Sequence, residues 1–181
     1  MNAPRMFGRY AEVPVERMSA EQRSAHRALV EGPRGGVSGP YRAWLSNPAL
    51  VQALPALDEY LNSERLSLSP AELEIAILAI AVRWKAAYVI GAHVPRAAEA
   101  GVPGAAIAAI VAGEQPELSD RRQRVVHDVA VGLAGGGVLA RPLYDAAVEA
   151  LGHGALADVT VVLGFYTAAS FTVNVYDVPA P

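Results

Sequence analysis

The sequence predicts an all-α fold, on three observations. No stretch alternates apolar and polar residues between turn signals, as a half-buried sheet would require. Two capping boxes, Ser19-Ala20-Glu21-Gln22 and Ser69-Pro70-Ala71-Glu72, each stand where a helix would open. Glycine then ends helical patterns at Gly113, at Gly135-Gly136-Gly137 and at Gly152.

Taken in order, residues 1–17 hold two prolines and no periodicity, and read as an extended arm over the core or over a neighbour. Ser19 opens a polar helix to about Glu31. Residues 32–40 cannot be regular structure, because glycine and proline fill six of nine positions. Tyr41, Trp44 and Leu45 follow directly and would tether that loop. Asn47-Pro48 begins a helix to about Asn62, with Leu50, Leu54, Leu57 and Leu61 on one face and a kink at Pro55. From Ser69 a helix runs through Leu73, Ile75, Ala76, Ile77, Leu78, Ile80, Ala81 and Val82 with almost no polar face, which places it in the middle of a core. A second helical pattern covers residues 86–100. Shorter helices follow over 103–112, 119–134 and 141–151, the second with Val125, Val126, Val129 and Leu133 for its buried face. The last, over 154–170, is apolar nearly all round and should pack deep in the core or at an interface. Its β-branched residues would suit a strand, but its length argues for helix.

A chain of 181 residues and 19.0 kDa fits one domain, residues 1–181. Net charge is only −3 and charged residues make up 18%, so there is neither a basic patch for nucleic acid nor an acidic tail. So weak a charge on a chain that is 52% hydrophobic suggests apolar surface covered between subunits. Cysteine is absent, which excludes disulfides, thiolate metal sites and thiol-based redox chemistry. The longest uncharged apolar run, residues 159–173, falls short of the roughly 18 needed to span a membrane. Residues 1–10 lack the apolar block of a signal peptide. A soluble, cytoplasmic protein without membrane or nucleic-acid partners is the expectation.

Chemistry concentrates on residues 69–101. Glu74 interrupts the apolar run, and a carboxylate there must be paired, protonated or in use. Arg83, Trp84 and Lys85 follow it, then Tyr88, His93 and Arg96. Two readings stay open for each. His93 is a satisfied core histidine or an acid/base; Glu74 is half of a structural bridge to Arg83 or Lys85, or a catalytic group. Trp84, Tyr88 and Tyr166 read as core or pocket lining. His26, His127 and His153 read as surface residues. No H-x-x-x-H or H-E-x-x-H spacing occurs, so no metal site is expected.

Three stretches carry a resemblance: GPRGGVSGPYRAWLSNPALV at 32–51, ELEIAILAIAVRWKAAYVIGAHVPRAAEAGV at 72–102, and GFYTAASFTVNVYDVP at 164–179. The glycine-proline loop, the spacing of Trp84, Tyr88 and His93, and the closing Gly-Phe-Tyr with Asn174 are together similar to the carboxymuconolactone decarboxylase family, whose fold is that of the AhpD-like alkylhydroperoxidases. The resemblance covers most of the chain. It implies an all-helical homo-oligomer with its active site beside a central antiparallel helix pair.

In the peroxidase branch of that family a glutamate, a C-x-x-C pair and a histidine do the chemistry. The glutamate falls here on Glu74 and the histidine on His93, but the cysteines fall on Ala86 and Val89, so thiol peroxidase chemistry is physically excluded. The lactone decarboxylase branch has tyrosine, glutamate and tryptophan ahead of the histidine, where this chain reads Tyr88-Val89-Ile90. The resemblance then implies decarboxylation of a small carboxylated unsaturated lactone or related cyclic carbonyl compound, a carbon-carbon lyase reaction. Such a substrate absorbs electrons into its own conjugated carbonyl, so no cofactor is expected. His93 with Glu74 would move the proton. Arg34, then Arg83, would clamp carboxylates, with Lys85, Trp84, Tyr88 and Val89 completing the binding site. Isomerisation, ring opening or dehydration of a more apolar ring, and a catalytically silent binding or assembly role, are the alternatives. Arg34 also has a structural reading, as a helix cap or a partner for a neighbouring subunit's carboxylate.

Overall fold

The computed structural model describes residues 5–181. It is 66% helix and 2% strand, an all-α protein. Two compact units divide the chain: Met1–Ser63 with Thr172–Val178, and Glu64–Phe171 with Pro179–Pro181.

The first unit starts with a short antiparallel hairpin, β1 (Met6–Phe7) and β2 (Tyr10–Ala11), with Phe7 opposite Tyr10. The extended arm expected for residues 1–17 thus holds a hairpin over its described part, while residues 1–4 lie outside the described residues. Phe7 is wholly buried, and Arg9 N donates to Tyr176 O at 2.6 Å while its guanidinium pairs with Asp177 at 2.9 Å. One aromatic anchor and two bonds to a distant segment order a stretch whose periodicity alone promised nothing. A 3-10 turn (Val15–Arg17) leads to α1 (Ala20–Glu31), capped by the Ser19 box as expected.

The glycine-proline loop then leads to α2 (Tyr41–Trp44), α3 (Pro48–Ala53) and α4 (Pro55–Leu61). Pro55 does more than bend the expected helix over 47–62, since it starts a new one. The leucine phase breaks there: Leu50 is exposed, and Val51 enters the core instead. That core gathers Met18, Ala25, Leu29, Tyr41, Leu45 and Val51.

The second unit is built on α5 (Pro70–Arg83), which packs against α6 (Ala87–Glu99), α7 (Gly104–Ala112) and α8 (Arg121–Ala134). Contact on so many sides is why α5 can be apolar all round, and Ile75 to Ala81 are buried without a break. Its N-terminus carries the complete capping box of Ser69 and Glu72. Arg122 of α8 seals this end, donating to Glu72 at 2.7 Å, to Ser67 O at 3.1 Å and to Ala150 O at 3.2 Å.

His127 of α8, expected at the surface, is buried, with Nδ1 against Asp128 at 3.2 Å. The buried arc of α8 is wider than its valines mark out, because α8 lies along the central α5. Finally α9 (Arg141–Val175) contains a break at Gly152, where φ is 75° and ψ 167°, so the two expected helices meet at a left-handed glycine. Its end runs past the expected Ser170 to Val175. Val173 is buried there, and Thr172 Oγ1 accepts from Trp44 Nε1 at 2.8 Å. By length and composition α9 could cross a membrane, with 35 residues and a mean hydropathy of 1.5 in its most apolar window, of which 39% is buried.

Candidate active site

Helices α5 and α6 are joined only by Trp84, Lys85 and Ala86, a turn closed by Lys85 at φ 53°. So short a link folds the second helix back along the first. Residues at similar distances from the turn therefore come face to face, and Glu74 meets His93. Their side chains lie 2.7 Å apart, Oε2 to Nδ1, with His93 6% exposed and Glu74 8%. The partner of Glu74 is thus His93, not Arg83 or Lys85.

An ionised Glu74 can only accept, so it fixes the neutral imidazole with its proton on Nδ1 and the lone pair on Nε2. No hydrogen bond reaches Nε2 among the described residues. A held, oriented histidine with one open nitrogen can take a proton from a bound molecule or return one. The buried carboxylate stabilises the imidazolium that forms in between.

The walls are apolar. Tyr166 of α9 meets the His93 ring edge-on, centroids 5.2 Å apart, and itself abuts Phe165. Val89, one helical turn before His93, is buried. Trp84 donates from Nε1 to Thr167 Oγ1 at 3.1 Å and stacks edge-on against Phe171 at 4.8 Å, which ties the α5–α6 turn to α9. Tyr88 is half-buried on α6.

The expected cations are engaged elsewhere or turned outward. Arg83 donates from Nε to Ala134 O at 2.8 Å, the last residue of α8, and lies over the Trp84 ring. Lys85 is exposed in the turn. Arg34 belongs to the first unit, where it pairs with Asp58 at 2.7 Å, donates to Ser38 at 3.2 Å and covers the Tyr41 ring at 4.1 Å. Among the hydrogen bonds of the described residues, neither Arg83 nor Lys85 bonds to Glu74 or His93, and Arg34 is paired within its own unit.

Sequence reasoning missed Asp58. It is a buried carboxylate whose only signal was its place three residues before Leu61 on a leucine-marked face. It also missed how sealed Tyr41 is: burial, with the nearby Asp58 charge, pushes that phenol up to about 12. Among the described residues no group of three or more His, Asp or Glu side chains is placed to hold a metal ion. No protein-family model matches the chain, and no curated protein matches it.

Proposed function

We propose that the chain is a cofactor-independent acid/base enzyme acting on a small cyclic carbonyl compound, with decarboxylation of a carboxylated unsaturated lactone as its reaction. One observation carries the reading: a buried Glu74–His93 pair at 2.7 Å that leaves Nε2 open beside Tyr166 and Val89. Its resemblance to the carboxymuconolactone decarboxylases of AhpD-like fold, which rests on residues 32–51, 72–102 and 164–179, supplies the substrate class.

In this reaction the bond to the departing carboxylate breaks, and its electron pair moves into the conjugated lactone carbonyl. Carbon dioxide leaves. His93, having first taken a proton from water on Nε2, delivers that proton to carbon and returns to the neutral imidazole. Apolar neighbours favour the loss, because a carboxylate with fewer waters around it gains more by becoming neutral carbon dioxide. Substrate is the expected partner, and the cytoplasm the expected compartment.

The same walls favour a second reading. Neither Arg83 nor Lys85 bonds to the pair, and Val89 is an apolar neighbour, so proton shuttling that isomerises or opens a less charged ring fits this site equally well. Incubation with a panel of carboxylated and uncarboxylated unsaturated lactones decides between them, following carbon dioxide and ultraviolet absorbance beside His93→Ala. Carbon dioxide release that the variant abolishes supports decarboxylation. An absorbance change without carbon dioxide moves the assignment to isomerisation or ring opening, and silence with every compound sinks the enzyme reading.

A further inference from the structure

We propose that Trp84 is a positioning residue for His93 and acts through α9: its indole fixes how that helix is turned, and so makes Tyr166 the stop against which the His93 ring rests. The proposal rests on the role given above to Nε2, and deepens it. Glu74 alone does not aim that nitrogen. Its bond holds one atom of the ring, Nδ1, whereas the ring plane depends on rotation about Cβ–Cγ, a broad torsion in histidine. The direction of the Nε2 lone pair turns with that plane.

Tyr166 supplies the second constraint. Its ring stands at 89° to the imidazole with centroids 5.2 Å apart, so the imidazole has little room to swing toward α9. Phe165 backs Tyr166 at 5.5 Å.

The indole of Trp84 in turn holds the helix that carries Tyr166. Trp84 ends α5 and opens the turn to α6, which is closed by Lys85 N to Val82 O at 3.0 Å and by Ala86 N to Ala81 O at 2.9 Å. That turn also sets Glu74 against His93. From it the indole reaches α9 at two levels: Nε1 donates to Thr167 Oγ1 at 3.1 Å, and the ring meets Phe171, one helical turn further on, at 4.8 Å. Two holds one turn apart fix the rotation of α9 as well as its height. Tyr166 directly precedes Thr167, about 100° round the helix, so the same holds direct its ring. A single turn of chain thus serves as the reference for Glu74 through α5, for His93 through α6 and for Tyr166 through the indole.

This role differs from the substrate contact expected of Trp84. An indole has one polar donor, and here Thr167 takes it. Arg83 lies over the same ring. Loss of the indole hold should therefore appear in kcat, through the aim of Nε2, and not in KM.

The test needs a readout that does not depend on knowing the substrate. Proton and nitrogen spectra of the chain with isotopically labelled histidine provide it, His93 being identified among four histidines by His93→Gln. Tyr166→Leu removes the ring current acting on the carbon-bound protons of His93, and those signals should move. Thr167→Val, which keeps the side-chain shape but loses the acceptor, should move them too, as should Trp84→Phe, which loses the donor. The Nδ1 proton should stay at low field in all three, held by Glu74. Tyr166→Phe and Thr167→Ser, the conservative counterparts, should bring the ring protons back near their wild-type positions. Ring protons unmoved in Thr167→Val and Trp84→Phe, with only the melting temperature lowered, overturn the proposal and leave Trp84 a stabilising residue. Movement that Thr167→Ser fails to reverse also overturns it.

The lactone panel adds the kinetic half. A reacting atom misplaced by about 1 Å costs on the order of 10²-fold, so kcat should fall by about that factor in Tyr166→Leu, with KM within about twofold. A raised KM at unchanged kcat would return Trp84 and Tyr166 to substrate binding and overturn the proposal. If the wild-type chain turns over no compound, the enzyme reading fails on its own, while the ring protons still decide whether Trp84 positions His93.

Discussion

His93 Nδ1 and Glu74 Oε2 stand 2.7 Å apart although nineteen residues separate them in the chain, and both side chains are buried. A buried pair of this kind is fragile to the loss of one member. His93→Leu leaves the Glu74 carboxylate without its partner and should cost about 3–5 kcal/mol in urea unfolding. The double variant His93→Leu with Glu74→Leu should recover most of that loss. If the two single costs simply add, the pair is not the unit described here.

Glu74 acts on chemistry through the ring it orients, as a positioning residue. Glu74→Gln can donate as well as accept, so it no longer specifies the tautomer with the lone pair on Nε2. Turnover should fall by roughly 10²- to 10⁴-fold, chiefly in kcat, and Glu74→Asp should restore part of it. A merely structural glutamate would instead lower the melting temperature and leave kcat unchanged.

Local signals were legible in the sequence, while pairings that depend on register were not. Ser19 and Ser69 announce their helices because a capping box is complete within four residues. Gly152 announces the break in α9 because only glycine takes that backbone without strain. Glu74 and His93 were each conspicuous, but their contact depends on how α6 lies along α5, which a three-residue turn sets and no periodicity reports. Arg34 stood out as a carboxylate clamp for substrate, yet Asp58 of its own chain, 24 residues away, holds it. Phe7 lacked any periodic neighbours and still became core, because Arg9, two residues on, is bonded to Tyr176 and Asp177 at the far end of the chain.

Tyr41 predicts how stability responds to alkali. Burial, with the nearby Asp58 charge, outweighs the Arg34 guanidinium, so the phenolate is disfavoured in the fold and the group is pushed up to about 12 from 10. The folded state thus holds this proton more tightly than the unfolded chain does. Below pH 10 both states keep it and stability is unaffected. Between pH 10 and 12 the unfolded chain releases it first, and stability should fall with a total on the order of 2 kcal/mol. Tyr41→Phe should remove that component of the slope. At pH 7 it should change stability by no more than about 1 kcal/mol, since the buried hydroxyl makes no hydrogen bond shorter than 3.5 Å.

Two glycines of the first unit should respond oppositely to alanine. Gly8 has φ +59°, and a Cβ there would collide with Tyr176 O. Gly8→Ala should therefore cost more than about 2 kcal/mol, by displacing the hairpin from its anchor. At Gly36 a Cβ meets nothing and no left-handed φ is required. Gly36→Ala should be neutral or stabilise by up to about 1 kcal/mol, through the unfolded chain. Thermal melts of the two variants side by side check both statements.

Arg83 separates a structural cation from a substrate clamp. Its Nε donates to the carbonyl of Ala134, which ends α8, so the charge sits where a helix C-terminus attracts it. The side chain is exposed, and this limits the contribution to roughly 0.3–1 kcal/mol. Arg83→Gln should lower the melting temperature slightly and leave the KM for a carboxylated substrate within about twofold, whereas loss of a carboxylate clamp raises KM by an order of magnitude or more. A large rise in KM with an unchanged melt would mean that Arg83 leaves Ala134 when substrate arrives, and would return it to the binding site.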